Sequence, residues 1–288
     1  MDTGSGLVER PRLWPVLLSC AAAFVTIVAF SLVAAAAVRS LYPDLSDQVA
    51  FEGLPGLLAG SIASSAAFVL TALIASGGVT PGALRLVPGR ETGGTLLLAV
   101  VGMLALGQTL DSLTVLAGLD QHGNMMTIRR ALKQAAGPDL FLAVLIVGLL
   151  AGSAEEIFFR GYVQTRLAQR LPRSVAVIAT SVCFGAFHLD WLHSLLALLL
   201  GLYLGWIVEL TGSTLPAMVC HVVNNALFTM ITSSWGGADG LEVNVALAAA
   251  GAVVFAATVA GLRRTQSASV EVAWLASVAQ RVRQRLRR

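Results

Sequence analysis

The sequence is a series of apolar runs, each close to the length that crosses a bilayer, separated by short polar connections. Leu13–Val38, Leu54–Ser76 and Gly94–Leu119 come first. Asp139 then opens a fourth helix that reaches about Leu171. Ser174–His188, Trp191–Leu210, Thr214–Ser234 and Val243–Leu262 follow. A hydrocarbon core about 30 Å thick needs about 20 apolar helical residues, and every run but the short fifth supplies them. Backbone groups in lipid must be satisfied within their own segment, so each run is read as a helix. Only 12% of the residues are charged and 56% are hydrophobic. That is about half the charge of a soluble domain, and it also excludes a disordered chain. The expected fold class is all-α: a polytopic membrane helical bundle of about eight transmembrane helices.

Charge sets the expected orientation. From Arg263 the tail carries seven arginines against Glu271, a net +6 within a chain total of +3. No aromatic platform accompanies it, so nucleic acid is not an expected partner. Arg10, Arg12 and the tail belong together in the cytoplasm by the positive-inside rule, and an even number of spans allows this. Val270–Leu286, with Trp274, Val278, Val282 and Leu286 every four residues, reads as an interfacial amphipathic helix. Arg39–Gly53 is acidic and suits the outside, whereas Arg129, Arg130 and Lys133 fall there against the rule. The Gly77–Gly93 stretch reads as a polar connection. The first run exceeds the roughly 7–15 apolar residues of a signal peptide and reads as an uncleaved span. Trp14, Trp206 and Trp235 read as interface anchors. Cys20, Cys183 and Cys220 lie in apolar runs and imply no disulfide framework. An arginine-rich, lysine-poor chain full of Ala, Val and Gly suits a GC-rich bacterial gene, and the expected location is the bacterial inner membrane.

Ionisable groups inside spans are costly and by default mark function. Three sets stand out: Glu155, Glu156 and Arg160; His188; and His221 with Asn225. Glu155 and His188 lie at nearly equal counts either side of Pro172, so in a helical hairpin they share a depth about 25 Å from the turn. His221 reaches that level only if the turn near Pro172 projects about 10 Å beyond the Thr211–Ser213 turn. His221 and Asn225, like Glu156 and Arg160, are four apart and share a helix face. Glu155 points about 100° away from Glu156. Asp190 and His193 are expected to line the loop after the fifth run, Phe184 to pack beneath His188, Asn224 to pack or line, and Glu209 to be solvated. Asp111 in the third run is expected to bond to Gln108 or Thr109.

Glu-Glu-x-x-x-Arg, then Phe-x-x-x-His, then His-x-x-x-Asn, in this order on successive membrane helices, resembles the CPBP family. These are the CAAX prenyl endopeptidases and bacteriocin-processing proteins, also called Abi proteins. The resemblance covers roughly residues 139–232. It divides the chain into helices 1–3 (1–138), a catalytic core of helices 4–7 (139–234), and a last helix with the basic tail (235–288). It implies intramembrane endoproteolysis of a peptide or membrane-protein substrate within membrane lipid. Glu155 and His188 would activate a water, His221 and Asn225 would stabilise the oxyanion, and Glu156 and Arg160 would support them. The chain lacks His-Glu-x-x-His, Gly-x-Ser-Gly and Gly-x-Gly-Asp, the marks of three other intramembrane protease chemistries. No cofactor is favoured. Zinc is the one possibility the residue types allow, held by Glu155, His188 and His221. The competing readings are a catalytically silent immunity or scaffold protein of the same fold, and a proton-coupled transporter.

Overall fold

The computed structural model describes residues 12–77, 80–133 and 135–286, with side chains to residue 265. The described residues form helices joined by turns: α1 (Trp14–Leu41), α2 (Asp47–Glu52), α3 (Leu54–Ala75), α4 (Gly93–Leu116), α5 (Gly123–Lys133), α6 (Pro138–Ala168), α7 (Arg173–Ala186), α8 (Trp191–Thr211), α9 (Leu215–Trp235) and α10 (Leu241–Leu286). Seven are long and apolar enough to cross a membrane; α7, with 14 residues, is the shorter one. The fold is therefore the expected all-α polytopic bundle. The tail continues α10 without a break to Leu286, and the amphipathic face expected at 270–286 lies outside the described side chains.

The helix ends follow local chemistry. A proline in the first turn opens α1, α3, α6 and α9, where its missing N–H costs nothing. Ser46, Thr92 and Asp190 cap α2, α4 and α8 through their side chains. Gly212 and Gly236 end α8 and α9 at φ 78° and 76°, the left-handed geometry that glycine takes without strain.

The hydrophobic order is that of a protein dissolved in lipid. Leu17, Leu32 and Val33 on α1 are exposed, while Glu156 and Arg160 on α6 are fully buried. Helix α6 packs against α3, α7 and α9, and α10 lies along α4. Phe68, Phe158, Phe159, Phe184 and Phe187 pack ring against ring around α6. Small residues let the backbones close in. A Cβ on Gly148 would stand 3.1 Å from Ala226, and one on Gly152 3.3 Å from the Val222 backbone.

Helix α6 is not uniform. Val144–Ala151 and Ile157–Gln164 are π-helical, and the single α turn Gly152–Glu156 between them carries both glutamates. Such widened turns are often found at functional sites. A reading at 3.6 residues per turn does not register them.

The polar connection before α4 is folded into the bundle. Leu84 is buried against the Phe158–Phe159 cluster. Thr214 donates its N–H to Arg85 O at 2.9 Å and Arg90 donates to Thr211 O at 2.8 Å. The segment packs along the Thr211–Thr214 turn, where Ser213 Oγ also donates to Val87 O at 2.7 Å. Glu209, expected in solvent, is a largely buried hub instead. It accepts from Arg85 at 2.8 Å and Gln164 at 3.0 Å and pairs with Arg173 at 3.5 Å.

Asp111 pairs with Arg129 on α5, and Gln108 bonds to Ser112 instead. Arg129 also sits over the Phe228 ring, 5.6 Å from its centroid. This explains a basic segment on the expected outer side: one of its charges is neutralised inside the bundle.

Candidate functional site

The site is built where α6, α7 and α9 meet. Arg160 donates to Glu156 Oε1 at 2.8 Å, one helical turn away. It also reaches Gly201 O at 3.2 Å and lies 4.5 Å from the centroid of the Phe184 ring. A Cβ at Gly201 would stand 3.1 Å from the guanidinium, so this glycine makes room for it. Both charges are fully buried, an arrangement that persists only because each has its partner.

His221 joins the pair from α9. Its Nδ1 lies 2.8 Å from Glu156 Oε1, and its Nε2 lies 3.7 Å from Glu155 Oε2. One imidazole is thus held between two adjacent carboxylates. The level match that helix counting required of His221 is met. The Glu156–His221 contact was not foreseen; sequence spacing paired Glu156 only with Arg160. With Nδ1–H donated to Glu156, the ring is fixed in orientation and Nε2 is directed to Glu155, the orienting logic of a carboxylate–histidine pair.

His188 follows α7 in the short bend before α8, two residues beyond the end of the helix. Its Nδ1 bonds to Phe184 O at 3.0 Å. A carbonyl accepts, so Nδ1 carries the proton and Nε2 keeps a free lone pair. The Phe184 ring stands edge-on to both His188, at 5.0 Å, and His221, at 5.9 Å. Phe184 therefore packs beneath His188 as expected and spaces the two imidazoles. Among the described residues no hydrogen bond or ion pair joins Glu155 directly to His188. Asn225, one turn beyond His221, accepts from Asn224 Nδ2 at 3.3 Å, which leaves its own amide N–H groups free. Asn224 Oδ1 would lie 2.6 Å from a Cβ on Gly107 of α4, so it packs closely there.

A cavity of about 410 Å³ begins at His188. His193, on the first turn of α8 and 4.2 Å from His188 between ring centroids, also lines it. So do Glu52, Gly60 and Thr127, from α2, α3 and α5. It opens at the end of the bundle opposite the Thr211–Thr214 turn. Residues about 25 Å from the Pro172 turn lie nearer the other end. Of Glu155, His188, His221 and Asn225, His188 is the one in its lining.

Zinc through Glu155, His188 and His221 would need the three side chains to converge. Among the described residues no three His, Cys, Asp or Glu side chains form a set that could hold a metal ion. Nδ1 of His221 is bonded to Glu156 and Nδ1 of His188 to a backbone carbonyl, bonds that leave Nε2 of each ring open, as they do in histidines that ligate metals.

Residues 137–227 match the family model for type II CAAX prenyl endopeptidase Rce1-like proteins. The match covers about a third of the chain, from the start of α6 into α9, and includes every residue of the site. No curated protein and no solved structure matches the chain.

Proposed function

We propose, from a core segment that matches the type II CAAX prenyl endopeptidase Rce1-like family model, that this membrane protein is an intramembrane endopeptidase that uses Glu155 as the base for an attacking water. Amide hydrolysis needs a positioned water, a group to take its proton and donors for the oxyanion. Glu155 supplies the carboxylate, and the free Nε2 of His188 accepts a hydrogen bond from the same water. The tetrahedral oxyanion receives an amide N–H of Asn225 and, one turn away on the same helix face, the Nε2–H of His221. To donate there while giving Nδ1–H to Glu156, His221 carries both protons. Arg160 holds Glu156 in place and touches neither water nor substrate. The proton taken by Glu155 is then passed to the leaving amine.

The observation that carries this reading is the single imidazole held between two adjacent carboxylates, at 2.8 and 3.7 Å, inside the family segment. A structural ion pair alone has no need of the second carboxylate beside Nε2. The substrate is a polypeptide at or in the membrane; the location proposed is the bacterial inner membrane, with both termini cytoplasmic. The test is mass spectrometry of membrane-derived peptides from cells carrying the wild-type chain or Glu155→Gln at equal abundance. Neo-termini present only with the wild type support the endopeptidase. Identical peptide sets, with the phenotype of deletion rescued by both chains, establish the scaffold reading instead.

A further inference from the structure

Gly60 poses a question that packing does not answer. It lies mid-helix in α3, where glycine is worse than alanine by about 1 kcal/mol and no special backbone angle is required. Other glycines in the spans are small because a neighbour presses on them, as at Gly152 and Gly201. At Gly60, no described atom stands within 4 Å of where a Cβ would be. The space it leaves is the cavity that begins at His188.

The walls of that cavity carry unused polar groups. Among the described residues the side chains of Ser61 on α3, and Asn124 and Thr127 on α5, have no hydrogen-bond partner. They face one cavity with His188 and His193 at its inner end. An acyl chain offers such groups nothing, whereas an extended polypeptide presents an amide donor and acceptor at every residue. The volume of about 410 Å³ falls in the range of ordinary ligand pockets.

We propose that this cavity is the binding site for an extended segment of the polypeptide substrate. The segment enters between α2 and α5, with a side chain seated over Gly60 and the scissile bond directed past His188 to Glu155. This rests on the endopeptidase reading and adds the path and the size-selective subsite. Helix α5 forms the roof, held by the Arg129–Asp111 pair and by Arg129 over Phe228.

The experiment uses the purified full chain in detergent, with a mixture of fluorescence-quenched decapeptides as the probe. Gly60→Leu places a side chain in the subsite, and its Cβ meets no described atom within 4 Å. It is expected to raise KM about tenfold or more, the effect of a methylene-scale misfit, while kcat changes by less than about twofold. Gly60→Ala gives a smaller rise. Thr127→Trp narrows the cavity from the other wall, should give the same split, and decides the matter if Gly60→Leu does not fold. An unchanged KM in either folded variant overturns the proposal, and is the result expected if lipid fills the cavity. Glu155→Gln separates the two levels. If it abolishes cleavage while the cavity variants keep their KM, the subsite is wrong and the catalytic reading stands. If it cleaves normally while the cavity variants raise KM, the reverse holds. A wild-type chain that cleaves none of the peptides overturns both.

Discussion

The two ends of the bundle are finished in opposite ways. At the Thr211–Thr214 end, residues 80–92 fold inward, Leu84 enters the aromatic core, and Glu209 collects Arg85, Gln164 and Arg173. At the other end α2 and α5 stand over a cavity of about 410 Å³ in whose walls Ser61, Asn124 and Thr127 have no side-chain partner among the described residues. The charges at the first end are paired and brace helices. Those three groups at the second end are free among the described residues, and His188 lies at its inner limit. Partner count separates the two ends: paired clusters brace the fold, and on the reading proposed above the unpaired groups would meet a ligand. Glu156 belongs to both. Its Oε1 serves Arg160 and His221, while its Oε2 has no partner among the described residues.

The largest effect that sharpens this contrast is expected at the catalytic cluster. Glu155→Gln and His221→Ala should each lower kcat by about 10²–10⁴-fold, the worth of a positioned acid–base group, with the thermal midpoint of Glu155→Gln unchanged. Steady-state cleavage and thermal unfolding in detergent check both halves. Arg160→Ala comes next, as a loss of the protein itself. It leaves the buried Glu156 carboxylate with His221 as its remaining partner, at up to about 3–5 kcal/mol, and should sharply reduce accumulation in membranes. Normal abundance and activity of that variant would break the claim that Arg160 braces the site.

Glu209→Ala should destabilise by about 1–3 kcal/mol, because buried Gln164 and two guanidinium groups lose their acceptor. Its kcat per folded molecule should stay at the wild-type value. A fall in kcat with stability intact would show that the sealed end takes part in turnover. The smallest effect is expected for Asp111→Asn. The pair with Arg129 is partly exposed, so screening limits its worth to about 1 kcal/mol or less. Faster hydrogen exchange confined to α5 would identify the pair as the hold on the roof.

What the sequence made legible was what one helix determines. The apolar runs gave the spans, the length of the fifth gave its shortness, and spacing of four gave the Glu156–Arg160 pair. Contacts that need three helices were not legible. The Glu156–His221 bond joins residues on α6 and α9 whose approach depends on Gly148 and Gly152 bringing the backbones together. The inward fold of residues 80–92 was hidden because its prolines, glycines and arginines have the composition of a solvated loop. Leu84, Leu86 and Val87 are its large apolar residues, and only Leu84 among them is fully buried. Asp111 stood out correctly as unexplained, but its partner sits on α5, 18 residues on, and no periodicity links them. A site about 25 Å from one turn, in a core about 30 Å thick, lies near the opposite face.

The most direct test of the Glu155 site is peptide cleavage by purified chain that has been stripped of metal, compared with Glu155→Gln prepared in the same way. Expected is a stripped wild type that cleaves at its full rate and a Glu155→Gln chain at least about 100-fold slower. A Glu155→Gln chain as fast as wild type would contradict the role of that carboxylate. A stripped wild type that is inactive, and that stoichiometric zinc restores unless His188 is replaced by Ala, would contradict the unaided glutamate mechanism.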